Sequence, residues 1–129
     1  MRTGRYQSWW QIDLGKRIKL RPNYYSVRHD SSDEFMRNWE LRGSTDGSHW
    51  TTLRTHENDG TINKPLQCAS WPVPGVGART REGEGEGEGE GEGGWTIFRV
   101  VSTGPNASAC NPHRLCMTYL ELYGVLESY

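Results

Sequence analysis

The stretch Ser8–Gly15 reads SWWQIDLG and decides the fold class. Its apolar residues Trp10, Ile12 and Leu14 alternate with polar ones. Side chains of a β-strand point alternately to its two faces, so a period of two predicts a strand with one buried face. The stretch therefore favours β structure.

The same alternation recurs along most of the chain. It marks the runs Ile18–Leu20, Tyr25–Val27, Trp39–Leu41 and Leu115–Tyr123, and two further runs, Trp50–Leu53 and Trp95–Val101, are rich in β-branched and aromatic residues. None of them shows the 3.6-residue stripe of an amphipathic helix. Short strands with turn signals every 8–12 residues or so are typical of an antiparallel sandwich or barrel, so we expect an all-β fold.

Turn signals separate these runs. Pro22-Asn23 is expected to end the run that contains Leu20. Asp46-Gly47 lies between two β-rich runs and predicts a hairpin, because both residues of such a turn must tolerate positive φ. The last strand is expected to place four side chains on one face: Cys116, Thr118, Leu120 and Leu122.

Large aromatic side chains provide the expected core. The chain has six Trp, six Tyr and two Phe, which excludes a fully disordered protein. Four of them fall at alternating strand positions or at strand ends and are expected to be buried: Trp10, Trp39, Trp50 and Tyr123. Stacking on a sugar or a nucleobase is the alternative role for these rings.

A glycine-glutamate tract distorts the composition. Residues Glu82–Gly94 supply six of the sixteen acidic residues, so the rest of the chain has ten acids against fifteen bases. Glycine raises the entropic cost of ordering and regularly spaced glutamates repel one another. We therefore expect one domain, 1–129, with a disordered loop at about 74–94, formed by repeat expansion or serving as an acidic decoy for a basic partner.

The sequence also bears on location. No stretch approaches the roughly 18 apolar residues of a membrane span, and residues 1–15 lack the apolar core of a secretory signal. Three cysteines, Cys68, Cys110 and Cys116, cannot pair completely. These features predict a cytoplasmic protein with free thiols and no membrane contact.

Four blocks in order resemble the coagulation factor V/VIII C-type domain, also called the F5/8 type C, discoidin or galactose-binding-like domain. SWWQIDLG is similar to the opening W-x-x-I-D-L-G of that family. The other three are LRGSTDGSHW at 41–50, similar to its S-x-D-G-x-x-W hairpin, FRVV at 98–101, similar to its R-x-[IV] strand, and LELYG at 120–124, similar to its close. Runs at 24–29, 37–39, 55–59 and 69–72 resemble the intracellular branch found in HECT-type ubiquitin ligases and BTB-domain proteins.

This resemblance implies a jelly-roll-like antiparallel β-sandwich whose ligand-binding loops gather at one end. The family usually has a first strand before the tryptophan block, but only about eight residues precede Trp9 here. We therefore expect either a fragment of a longer gene product or a sandwich that lacks that strand. An unpaired strand edge would then be exposed.

One candidate site is the rim that follows the second predicted strand. Its residues are Arg28, His29 and Asp30 before the loop, and Arg37 and Asn38 after it. Guanidinium, imidazole and amide groups can bind sugar hydroxyls or the carboxylate of a peptide. In the alternative interpretation, the arginines pair with Asp30, Asp33 or Glu34 and only order the loop.

A second candidate rim is the loop Asn106–Arg114, which ends in His113 and Arg114. Cys110, His113 and Cys116 suggest zinc by their spacing, but structural zinc takes four ligands. The oxygen donors of Asp30, Asp33 and Glu34 are too few for calcium, which takes six to eight ligands. We expect no metal and no cofactor.

The function expected from these observations is recognition without catalysis. The sequence has no nucleophile elbow, paired-acid signature or H-E-x-x-H helix. Its basic residues are mostly scattered singly, so nucleic-acid binding is not expected. We expect a module that binds a protein or peptide through the loops Arg28–Asn38 and Asn106–Arg114, and that belongs to a ubiquitin-ligase or BTB-type protein. The alternatives are a galactose-type carbohydrate-binding module and an accessory domain of a larger enzyme.

Overall fold

The computed structural model describes residues 8–74 and 94–128. Its regular elements are seven strands: Trp9–Asp13 (β1), Ile18–His29 (β2), Trp39–Ser44 (β3), Thr51–His56 (β4), Cys68–Pro72 (β5), Ile97–Ser102 (β6) and Met117–Ser128 (β7). They confirm the all-β class. The described residues include no helix that could cross a membrane. The loop predicted at 74–94 lies outside the described residues except at its two ends.

The strands form two antiparallel sheets that share one core. The four-stranded sheet has the order β1-β6-β3-β4, and the three-stranded sheet has the order β5-β2-β7. Fully buried side chains of both sheets meet between them, among them Tyr25, Trp39, Leu41 and Phe98. This arrangement confirms the galactose-binding-like β-sandwich.

Two strands at the sheet edges border an open apolar cleft. β1 ends one sheet and β7 ends the other. A cleft of about 540 Å³ opens between them, lined by Ile12 and Leu14 on one side and by Leu120 and Leu122 on the other.

Two of the four aromatic residues predicted to be buried are not in the core. Trp39 is fully buried and Trp10 packs partly buried against the core. The prediction was wrong for Trp50, which precedes β4 and contacts Arg99 from the outer face of the four-stranded sheet. It was also wrong for Tyr123, whose side chain remains 43% exposed on the outer face of β7.

β2 continues through the proline that was expected to end it. The register with β7 shifts between Pro22 and Tyr24, which marks a β-bulge that accommodates the proline. Gly124 of β7 lies opposite Pro22. A Cβ atom on Gly124 would overlap the carbonyl oxygen of Arg21, so only glycine fits at this close approach. This contact explains the glycine that closes the LELYG block.

A second register shift changes the face predicted for β7. Arg28 pairs with Tyr119, but His29 pairs with Met117, so Thr118 is the extra residue of a bulge. Thr118 is therefore exposed and Met117 is buried. The prediction holds for the buried Leu120 and fails for Thr118.

The predicted hairpin connects β3 and β4. Its loop is residues 45–50, and Gly47 has φ 82°. Asp46 does not share the positive φ that was expected. Its carboxylate instead accepts the backbone N–H groups of Ser48 and His49, each at 2.8 Å, and so organises the loop.

Candidate functional site

Three loops meet at one end of the sandwich. They follow β2, β4 and β6 and comprise residues 30–38, 57–67 and 103–116; together they are called the loop end here. The backbone N–H of Ala107 donates to the carbonyl of Phe35 at 2.9 Å. The N–H of Asp59 donates to the carbonyl of Arg37 at 2.8 Å. The first loop is therefore bonded to both of the others.

Side chains of Arg37 and Asn38 strengthen these connections. Nδ2 of Asn38 donates to the carbonyl of Pro105 at 2.9 Å, and its Oδ1 accepts the N–H of Asn58 at 2.9 Å. Nη1 of Arg37 donates to the carbonyl of Ile62 at 2.9 Å. Both residues predicted as ligand contacts thus hold the three loops together.

His29 and Asp30 organise the inner part of the first loop. His29 is fully buried, and its Nε2–H donates to the carbonyl of Ser32 at 3.0 Å. The carboxylate of Asp30 accepts the N–H of Ser32 at 2.8 Å. Burial alone would raise the pKa of Asp30, but the hydrogen bonds from Ser32 lower it. The His29 ring packs 5.0 Å from that of Phe35, so it supports the loop from within.

Arg28 is not brought to the loop end. It lies on β2 opposite Cys68 and Tyr119, with its side chain on the outer face of the three-stranded sheet. His29, the next residue, points inward because side chains alternate along a strand. The structure therefore separates two residues that the sequence analysis placed on one rim.

Glu34 connects the first loop to the third. Its carboxylate accepts hydrogen bonds from Cys116 Sγ at 3.2 Å and from Asn111 Nδ2 at 2.7 Å, which lower the pKa of Glu34. Nε of Arg114 lies 3.4 Å from the same carboxylate. The side chain of Arg114 is nevertheless 62% exposed, so it reaches from an anchored position towards solvent.

The cysteines of the third loop are free thiols. Cys110 is exposed and Cys116 is buried. Burial, and then the hydrogen bond to Glu34, raise the pKa of the Cys116 thiol to about 11, so this thiol stays protonated. Within residues 8–74 and 94–128 no group of three or more His, Cys, Asp or Glu side chains is arranged to hold a metal ion.

The second loop contributes a residue that the sequence analysis missed. Leu66 has φ 64° and is 54% exposed, an unusual conformation for a bulky side chain. Its N–H donates to the carbonyl of Asp30 at 2.9 Å, and the Gln67 carboxamide accepts the N–H of Asn63 at 2.7 Å. The preceding Pro65 signals a turn, but no sequence pattern indicates an exposed leucine there.

A buried chain of hydrogen bonds runs from the core to the second loop. Nε1–H of Trp39 donates to the Tyr25 hydroxyl at 2.9 Å, and that hydroxyl donates to His56 Nε2 at 2.6 Å. Nδ1–H of His56 donates to the carboxylate of Asp59 at 2.8 Å. His56 is 2% exposed, and burial lowers its pKa. The chain of hydrogen bonds therefore connects the second loop to the core.

Comparison with known proteins identifies the family. The family model described as F5/8 type C domain matches residues 2–80. A BTB/POZ domain-containing protein of Arabidopsis thaliana is 42% identical over 96% of this chain, and the chain spans 14% of that protein. The E3 ubiquitin-protein ligases Ufd4 of Drosophila melanogaster and hecd-1 of Caenorhabditis elegans are 32% and 31% identical over 92% and 88% of the chain, which spans 4% of each. These relatives confirm the branch expected from the sequence, and the chain belongs to the F5/8 type C domain family.

Proposed function

We propose that this chain is a non-enzymatic recognition module that binds a protein or peptide partner through the loop end. The observation that carries the proposal is the bonding of three loops into one unit by Asn38, Arg37 and Glu34. A surface that is ordered before binding loses little conformational entropy when a partner docks. Rigid loops of this kind are therefore suited to recognition.

The groups exposed on the loop end fit a protein surface. Arg114 offers a guanidinium that is anchored by Glu34, and Leu66 offers an apolar side chain. Arginine is enriched among the residues that contribute most to protein interfaces. The aromatic residue in the described part of these loops is Phe35, and its ring packs against His29, which disfavours the stacking that sugar binding commonly uses.

The relatives suggest where such a module would work. Each is many times longer than this chain, and two carry the name E3 ubiquitin-protein ligase. We infer that the module recruits a partner, such as a substrate, to a parent protein of the BTB or ubiquitin-ligase type in the cytoplasm. Three free thiols are suited to that reducing compartment. An accessory role in a larger enzyme is compatible with the same relatives.

Site-specific photocrosslinking tests this proposal. Benzoylphenylalanine is introduced at Leu66, and at Lys16 in the turn after β1 as a control at the other end of the sandwich. We expect crosslinks to a defined protein from position 66 but not from position 16. The captured protein is then purified, and its Kd is measured for the Arg114→Ala and Lys16→Ala variants.

The expected result is a loss of about tenfold or more in affinity for Arg114→Ala, with no change for Lys16→Ala, because anchored interface arginines contribute strongly. Equal affinities of the two variants would contradict binding by the loop end. A glycan array serves as the second arm. Binding to a galactose-type sugar that Arg114→Ala abolishes would favour the carbohydrate alternative instead.

A further inference from the structure

The outer face of the four-stranded sheet carries two arginines directly opposite each other. Arg99 of β6 pairs with Arg42 of β3 in the strand register. Like charges directly opposite each other destabilise a sheet. With the neighbouring side chains, this pair forms what is called the arginine face here: Trp9, Gln11, Glu40, Arg42, Trp50 and Arg99.

Aromatic rings and one amide fix the position of Arg99. Its guanidinium carbon lies 3.9 Å from the ring centre of Trp9 and 4.3 Å from that of Trp50. Nε and Nη2 donate to Oε1 of Gln11 at 3.0 and 2.8 Å. Stacking on two tryptophans orients the guanidinium before any ligand arrives.

Arg42 is held by Glu40, whose carboxylate also accepts hydrogen bonds from two threonines. Nε of Arg42 donates to Oε1 of Glu40 at 2.9 Å. The same carboxylate accepts the hydroxyls of Thr52 at 3.3 Å and Thr55 at 3.5 Å. One carboxylate, that of Glu40, therefore lies beside the two guanidiniums.

Several donors of the two arginines have no hydrogen-bond partner among residues 8–74 and 94–128. In the part of the chain that the structure describes, Nη1 of Arg99 and both Nη atoms of Arg42 make no hydrogen bond. Burial and then the charge of Arg42 lower the pKa of Arg99, in line with the closeness of the two cations. An anion placed between them would satisfy these donors and relieve the repulsion.

We propose that the arginine face binds a carboxylate side chain in an acidic peptide segment of a partner protein. The planar guanidinium forks match a carboxylate in geometry, and a carboxylate accepts hydrogen bonds from the donors that Glu40 and Gln11 leave unbonded. Trp9 is 52% exposed and offers its ring to an aromatic or apolar neighbour of the bound acid. Asp13 lies on the same face opposite Ile97 and would repel the repeated charges of a polyanion.

This second binding surface goes beyond the proposed function, because it lies on a sheet face and uses none of the loop-end side chains. The test is an NMR titration of the ¹⁵N-labelled 129-residue chain with two capped peptides, Gly-Gly-Glu-Tyr-Gly and its matched control Gly-Gly-Gln-Tyr-Gly. We expect the Glu peptide to shift the indole signals of Trp9 and Trp50. It should bind about tenfold more tightly than the Gln peptide, because hydrogen bonds to charged groups are stronger.

Variants show whether the preference for the Glu peptide depends on the arginine face or on the net charge of the protein. Arg42→Gln should remove the tenfold preference, and Arg42→Lys should restore part of it. Arg28→Gln removes the same charge from the other sheet and should leave the preference intact. Arg114→Ala should also leave it intact, so that failure at the loop end and failure at this face can be told apart.

Several outcomes would overturn this proposal. They are binding of neither peptide, equal binding of both, signal shifts away from Trp9 and Trp50, and equal weakening by Arg42→Gln and Arg28→Gln. A DNA duplex that displaces the Glu peptide, and that itself needs Arg42, would assign the face to nucleic acid instead. Spectra of Arg42→Gln that retain wild-type dispersion show that the variant is folded.

Discussion

Two clusters of tryptophan side chains lie on opposite sides of the four-stranded sheet and differ in how their polar groups are satisfied. In the inner cluster, Trp39 stacks on His56 with ring centres 4.0 Å apart. In the outer cluster, Trp9 and Trp50 hold the guanidinium of Arg99. Similar residue types thus build a core on one side and an exposed surface on the other.

The difference lies in the hydrogen bonds. The indole N–H of Trp39, the hydroxyl of Tyr25 and both ring nitrogens of His56 all have partners inside the protein. On the outer cluster, Nη1 of Arg99 has none in the described chain. A buried group without a partner costs stability, whereas an exposed donor without one can bind a ligand. A buried cluster whose polar groups all have hydrogen-bond partners therefore stabilises the fold, whereas an exposed cluster with unbonded donors can bind a partner.

Replacing one tryptophan in each cluster should give the largest contrast in stability. Trp39→Ala leaves a cavity between the sheets and should lower the free energy of unfolding by about 3–5 kcal/mol. Trp9→Ala removes a half-exposed ring and a cation–π contact and should cost at most about 1 kcal/mol. Urea denaturation of both variants measures the difference. Similar losses would contradict the division into core and surface clusters.

A second pair of variants, with a smaller expected difference in stability, tests whether the hydrogen bonds of the inner cluster stabilise the fold. Tyr25→Phe keeps the ring but removes the hydroxyl between Trp39 and His56, so it should cost about 1–3 kcal/mol. The adjacent Tyr24 points outward on β2 and provides the matched control. Tyr24→Phe should stay within about 0.5 kcal/mol of wild type. If Tyr25→Phe proves equally harmless, the buried chain of hydrogen bonds does not stabilise the fold.

Much of the fold could be predicted from alternation, because a period of two reports a strand directly. Tyr123 lies three positions after Leu120, so alternation places it on the opposite face, and the expectation that it is buried went against the pattern. Alternation could not show that Thr118 is the extra residue of a bulge in β7. Nor could it predict that β2 passes through Pro22 by a bulge, since a bulge depends on the partner strand. Such errors arise where pairing, and not local sequence, decides which side is buried.

The sequence placed candidate residues in two loops of the proposed site, but it did not show what those residues contact. The side chains of Asn38 and His29 donate to backbone carbonyls of the loops themselves. Arg114 is exposed as expected, and its anchor is Glu34, 80 positions away in the sequence. A contact between residues so far apart in the sequence leaves no pattern in the sequence near either residue. The exposed Leu66 could not be predicted either, because its N–H donates to the carbonyl of Asp30, which is distant in the sequence.

The inner cluster should also make stability depend on pH through His56. Nε2 of His56 accepts the Tyr25 hydroxyl, so the folded protein favours the neutral imidazole. Burial is the largest cause that lowers the pKa of His56 below its ordinary value of 6.5, and the bond to Asp59 opposes it. Between the two pKa values the unfolded chain binds more protons than the folded one. This contribution is therefore complete above about pH 6.5 and is lost as the pH falls below it.

Urea denaturation between pH 7.5 and pH 5.0 measures this smallest effect. We expect the free energy of unfolding to fall with pH in the wild type and to fall less steeply in His56→Gln, because glutamine keeps a hydrogen-bond acceptor but does not titrate. His113→Gln makes the same substitution in an exposed loop and serves as the matched control. Asp59 contributes little in this range, because its ordinary pKa is 3.8 and hydrogen bonds lower it against the effect of burial. An unchanged slope in His56→Gln would show that another group is responsible for the pH dependence.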